Sequence, residues 1–181
     1  MKRTEKIWII TIYFVLSVVL PITSCALTDF DLFPSKILTN CIAWAELFGA
    51  TDVSEEIETK TVSENNSYIA SDSYAVFYNR KTLDLENLLF TYNASGTSAD
   101  MDLRALALFA AAEYGSPSDF SNTEIKTARR IALPILRKLK DAIKDNAIEI
   151  RNGKIVTFYV GKSLVYSLYQ VNSEIILIVA E

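Results

Sequence analysis

The chain has 181 residues, with 18 Lys and Arg against 22 Asp and Glu, a net charge of −4, and no histidine. Half of it is apolar, which argues for a folded globule, and the acidic balance gives no reason to expect nucleic acid as a partner. Without histidine there is no Ser-His-Asp or Cys-His catalysis, no histidine metal site and no usual proton shuttle near neutral pH.

The chain begins with a basic stretch carrying Lys2, Arg3 and Lys6. Ile7 to Leu20 follows without a charge, with Thr11 and Ser17 as its polar interruptions, and Pro21 breaks the run. A positive start, a short apolar run and small residues before a cut make a secretory signal: the charged end stays cytoplasmic while the apolar run enters the bilayer. Ile22-Thr23-Ser24-Cys25 then resembles the lipobox of bacterial lipoproteins: an aliphatic residue, two small ones and a cysteine. That resemblance covers the export segment alone. It implies cleavage before Cys25, diacylglycerol on its thiol and an extracytoplasmic domain held at the cell-envelope membrane. Two other readings stay open: Ser24-Cys25-Ala26 as an ordinary cleavage site, or Ile7 to Leu27 as an uncleaved helix, since about 20 residues span a bilayer.

The expected organisation is a signal over 1–24, a lipidated tether over 25–33 and one domain over 34–181. From Cys25 onward, 15 Lys and Arg face 21 Asp and Glu, a net of −6. Cys25 and Cys41 are the two cysteines. With Cys25 acylated or removed, Cys41 has no intramolecular partner, so neither a disulfide framework nor a cysteine zinc site is expected. Ile37, Leu38, Cys41, Ala45 and Phe48 share one helical face, which makes Cys41 a small core residue rather than a nucleophile.

Pro34 suits a first helical turn, and Ser35 to Phe48 shows apolar residues at helical spacing before Gly49. Thr51 to Ser67 is polar and acidic, through Asp52, Glu55, Glu56, Glu58 and Glu64, with an edge strand near Thr59 to Ser63 and a turn at Asn65-Asn66. Strands are expected near Ser67 to Tyr78 and Asn87 to Tyr92, joined through Asn79-Arg80-Lys81. Ala94 to Ala99 reads as a loop. Asp100 to Tyr114, rich in Ala and Leu and closed by Gly115, reads as a helix whose alanines admit a close neighbour.

Ser121-Asn122-Thr123-Glu124 forms a capping box. It opens a long helix to about Asp145, which Pro134 is expected to kink or split. Four strands then make an antiparallel meander: Ala147 to Arg151, Lys154 to Val160, Ser163 to Val171 and Glu174 to Ala180. Asn152-Gly153 is the strongest hairpin signal, and Gly161-Lys162 and Asn172-Ser173 mark further turns. Ile175 to Val179 is apolar on both faces, unlike a meander edge. It is therefore expected inside the sheet or under a helix, paired with a strand from Ser67 to Tyr92. The fold class is α+β: an antiparallel sheet packed with three or four helices, ending in a four-stranded meander.

On the long helix Lys126, Arg129, Arg130, Arg137, Lys140 and Lys144 fall within about 100° of one another. Ile125, Ala128, Ala132, Ile135, Leu136, Leu139 and Ile143 oppose them. This basic stripe is either a solvated face or a contact for anionic headgroups or an acidic protein, including the chain's own Asp52 to Glu64 segment. Ser95-Gly96-Thr97-Ser98 reads as a loop and cap, although a helix start of this kind can bind phosphate. Asp29-x-Asp31 and Asp100-x-Asp102 lack the calcium-loop spacing and read as surface or capping acids. A carboxylate pair including Glu113, or a Thr123-x-x-Lys126 pair, would be needed for histidine-free hydrolysis. Tyr68, Tyr74, Tyr78, Tyr159, Tyr166 and Tyr169 read as cross-strand pairs before they read as a ligand face.

These features give no catalytic residue, no metal site and no cofactor. The reading they favour is a lipid-anchored extracytoplasmic binding or interaction domain, attached to the membrane through lipid on Cys25. The alternatives are a small carboxylate-dependent hydrolase and a structural envelope protein.

Overall fold

The computed structural model describes residues 34–51, 53, 57–71, 73–92, 99–161, 164–171 and 174–180. The signal, the tether, Cys25, Asp29, Asp31, Asp52, Glu55, Glu56, the Ser95 to Ser98 loop and the Lys162 and Asn172-Ser173 turn positions lie outside the described residues. The elements run α1 (Pro34–Phe48), β1 (Glu58–Thr61), β2 (Asn66–Ala70), β3 (Tyr74–Asn79), β4 (Leu85–Tyr92), α2 (Ala99–Glu113), α3 (Asn122–Asp145), α4 (Ala147–Arg151), β5 (Val156–Val160), β6 (Val165–Val171) and β7 (Glu174–Ala180).

All seven strands form one antiparallel sheet, in the order β1-β2-β3-β4-β7-β6-β5. The last strand therefore lies inside the sheet, between β4 and β6. Leu88 is opposite Val179 and Phe90 opposite Leu177 on one side, while Tyr166 is opposite Val179 and Leu168 opposite Leu177 on the other. The strands expected in the first and final thirds become one sheet through this pairing. β1 and β5 are the two edges; β1 is short and exposed along its whole length, as suits a strand with unpaired backbone groups.

Helices α1, α2 and α3 pack against one face. Ile69, Tyr74, Val76, Leu88, Phe90, Tyr92, Tyr166 and Leu168 join the helices in the main core there. α2 is central: Ala105 through Ala111 are all buried, so this helix touches neighbours around its full circumference. Its alanines let α1 and α3 close in on either side. The opposite face of the sheet carries a second buried cluster: Tyr68, Ala70, Ala75, Phe77 and Leu89.

Three expectations are corrected. Ser67 to Tyr78 is not one strand: Ser71 N–H donates to the Tyr74 carbonyl in a tight turn that folds the segment into the β2–β3 hairpin. Ala147–Arg151 is a short helix, so the C-terminal meander has three strands, not four. Asn152-Gly153 closes that helix instead of turning a hairpin: Gly153 takes φ +74°, its N–H donates to Ile150, and Lys154 N–H donates to Glu149. These bonds satisfy carbonyls left open by the last helical turn, a use of left-handed glycine that shares its sequence signature with a hairpin. In addition, Pro134 does not split α3, which runs unbroken for 24 residues. Pro134 sits on the exposed side, where the carbonyl it leaves unbonded is open to water.

Candidate functional site

The reactive side chains of the described residues are mostly committed to packing. Cys41 is fully buried in α1, and burial pushes its thiol well above the ordinary range, away from the reactive thiolate. Four strand tyrosines form directly opposed aromatic pairs: Tyr68 with Phe77, Tyr74 with Phe90 and Tyr159 with Tyr166, with ring centroids 5.3, 5.4 and 5.4 Å apart. Tyr166 Oη donates to Glu113 Oε1 at 2.5 Å. Burial, then this carboxylate, push the Tyr166 phenol far up. Glu113 lies against Gly161, where a side chain would overlap its carboxylate.

The acids at the start of α2 are bound internally. Asp100 accepts from Thr51 N at 2.6 Å and from Arg104 Nε at 2.7 Å. Partial burial pulls its pKa upward, but the bonds from Arg104 and Thr51 outweigh that and hold it below the ordinary value. Arg104 also donates to Ser73 Oγ and to the Thr51 carbonyl, tying α2 to the α1–β1 and β2–β3 connections. The sequence reading missed this clamp, although the Asp100–Arg104 spacing of four residues on a helix was its signal. Asp102 accepts from Tyr92 Oη at 3.0 Å and pairs with Lys140 at 2.5 Å.

Glu124 was expected to complete a capping box. Ser121 Oγ does accept from Glu124 N at 3.2 Å. The Glu124 carboxylate turns instead to the preceding loop, accepting from Ser118 N and Oγ, Asp119 N, Phe120 N and Tyr114 Oη. The Ser118 backbone bond leads in drawing its pKa down to about 2, overcoming burial. Five donors on one carboxylate make it an anchor for the loop. Thr123 lies exposed in the first turn of α3, where its carbonyl accepts from Thr127 Oγ1.

The remaining chemistry sits on the outside of α3. This helix holds seven basic residues against three acids, Glu124, Asp141 and Asp145, of which Glu124 is buried. The structure divides the six-residue stripe into two groups. Arg129 folds inward: its guanidinium lies 5.3 Å from the Phe48 ring centroid and donates to the Phe48 carbonyl at 3.2 Å. Lys140 is held by Asp102 rather than by the Asp52 to Glu64 segment. Lys126, Arg130, Arg137 and Lys144 are exposed, and their side chains have no ion-pair or hydrogen-bond partner among the described residues. At 100° per residue these four lie within about 40° of one another, in a row spanning about 27 Å. Leu133, 36% exposed, borders the row, whereas Ile131, 37% exposed, lies about 100° away from it round the helix. Lys138, outside the stripe, stacks on Tyr159 with Nζ 4.8 Å from the ring centroid and joins α3 to β5.

No protein family, no curated protein and no solved structure matches the chain. No helix among the described residues is long and apolar enough to cross a membrane.

Proposed function

We propose that this chain is a lipid-anchored, extracytoplasmic interaction domain without a catalytic role. The lipid is carried by Cys25, and the contact surface is the exposed row Lys126, Arg130, Arg137 and Lys144. The observation that carries this reading is the division of labour around α3. Asp100, Asp102, Glu113, Glu124, Arg104, Arg129 and Lys140 each hold an internal partner. Four cations of a net acidic chain hold no partner among the described residues and share one exposed ridge. A general acid needs a carboxyl whose pKa is raised towards neutrality, whereas Asp100 and Glu124 are both displaced downward. Cys25 and the eight residues after it precede Pro34, a tether of about 30 Å when extended.

Fractionation of cells producing the parent or Cys25→Ala tests the anchor. The parent is expected in the membrane fraction with its signal removed. Cys25→Ala should either accumulate as precursor or leave the membrane as a cleaved soluble chain. A variant that stays in the membrane at the same processed size as the parent would refute attachment through this thiol.

A further inference from the structure

Resting on that reading, we infer that the outer ridge of α3 lies along the anionic headgroups of the bilayer that holds the tether, setting the domain's orientation on the membrane. Four features of the ridge favour a lipid surface over an acidic protein. The first is its shape. Arg130, Arg137 and Lys144 recur every seven residues and Lys126 precedes them by one turn, so the charges form a straight row about 27 Å long. A straight row on a convex helix meets a flat anionic surface along its whole length, with no matching groove required.

The second feature is the apolar content. Leu133 sits between Arg130 and Arg137 along the ridge, beside exposed Pro134. Basic side chains that reach phosphates, with aliphatic groups among them, are the pattern of a helix lying in the headgroup region. The third is contrast. The chain as a whole carries −4, so an anionic surface attracts this ridge and repels much of the remaining exterior, including exposed Glu64 and Asp84. One orientation is thereby selected. The fourth is proximity. A tether of nine residues keeps the ridge within tens of ångströms of the headgroups, so even weak attraction per contact is sufficient.

The test uses protein purified from membranes with its native N-terminus, carrying Leu133→Trp as a reporter of lipid contact. Trp44 is fully buried and is not exposed to quenchers in the lipid. The protein is mixed with vesicles of brominated phosphatidylcholine, alone or with one third phosphatidylglycerol. Flotation reports the anchor, and quenching of the residue 133 indole reports the ridge. Strong quenching is expected in phosphatidylglycerol vesicles, weak quenching in phosphatidylcholine alone, and loss of the difference in high salt. Lys126→Gln, Arg130→Gln, Arg137→Gln and Lys144→Gln together should abolish the difference, since each basic group near an anionic surface changes partition about fivefold.

Equal quenching in both vesicle types, or a quadruple variant that behaves as the parent, overturns the proposal. So does a ridge that leaves phosphatidylglycerol vesicles for soluble polyglutamate at equal charge concentration, which would identify an acidic protein as its partner. If the chain does not float with phosphatidylcholine, the anchor reading has failed, and flotation with phosphatidylglycerol tests the ridge by itself. Binding to those vesicles that is lost in the quadruple variant supports the inference, and no binding overturns it.

Discussion

Glu124 shows how one side chain can set the local chemistry of a helix entry. Its carboxylate is nearly enclosed and accepts from three consecutive backbone amides, those of Ser118, Asp119 and Phe120. Phe120 is held at φ +52°, a left-handed conformation that a bulky residue adopts only under constraint from its surroundings. The bond from Phe120 N to Glu124 is part of that constraint. Because the carboxyl pKa falls on folding, from 4.5 to about 2, its contribution to stability is full above about pH 4.5 and is lost as pH falls towards 2. Glu124→Gln removes the charge that three amides and two hydroxyls surround. The variant is expected to exchange the amides of residues 118–120 faster at neutral pH and to show a flatter fall in stability between pH 4.5 and 2. Acid-titrated unfolding curves that superimpose on the parent's would show that the carboxylate does not hold this loop.

At the scale of elements, α2 is the helix on which the others depend. Phe109 is fully buried and meets Tyr166 across the helix–sheet interface, with ring centroids 5.6 Å apart. Phe109→Ala is expected to cost about 3–5 kcal/mol, the range for deleting a buried aromatic ring from a packed core. Chemical denaturation of the purified variant measures it. A loss below about 1 kcal/mol would mean that the interior of α2 is loosely packed.

The elements also show where the sequence was legible and where it was not. α1, α2 and α3 were readable because each joins helical periodicity to a local stop or start signal, such as Gly49, Gly115 or Ser121. Gly49 and Gly115 do take positive φ, +87° and +97°. The turn at Asn79 was readable too, and its side chain accepts from the amides of Lys81 and Thr82. Ala147–Arg151 was not readable. Five residues alternating Ile with Ala, Glu and Arg satisfy strand periodicity, and Asn152-Gly153 serves a helix end as well as it serves a hairpin. Only the packing of Ile150 against the core decides between them. The six-residue basic stripe was legible as a stripe. That Arg129 would fold inward and Lys140 would be paired depended on Phe48 and Asp102, which are distant in sequence.

For the whole molecule, the defining feature is that the last strand lies inside the sheet. β4 and β7 are about 85 residues apart in the chain, and their pairing makes one sheet of two hairpin systems. The core is therefore incomplete until the C-terminus is in place, and the amides of Ile175 to Val179 are expected to exchange only through global unfolding. Native-state hydrogen exchange measures this; exchange there as fast as in exposed β1 would contradict the interior placement. The same architecture separates roles in space: the helix layer is packed inward on the sheet, and α3 presents the cations of the ridge outward. That arrangement matters for function only if the domain is held at a surface. Lipid on Cys25 would supply that hold, and intact-mass analysis of the native protein extracted from membranes tests it directly. A chain beginning at Cys25 with added diacylglycerol mass is expected. A chain still beginning at Met1, or a mature end without acyl mass, would contradict it.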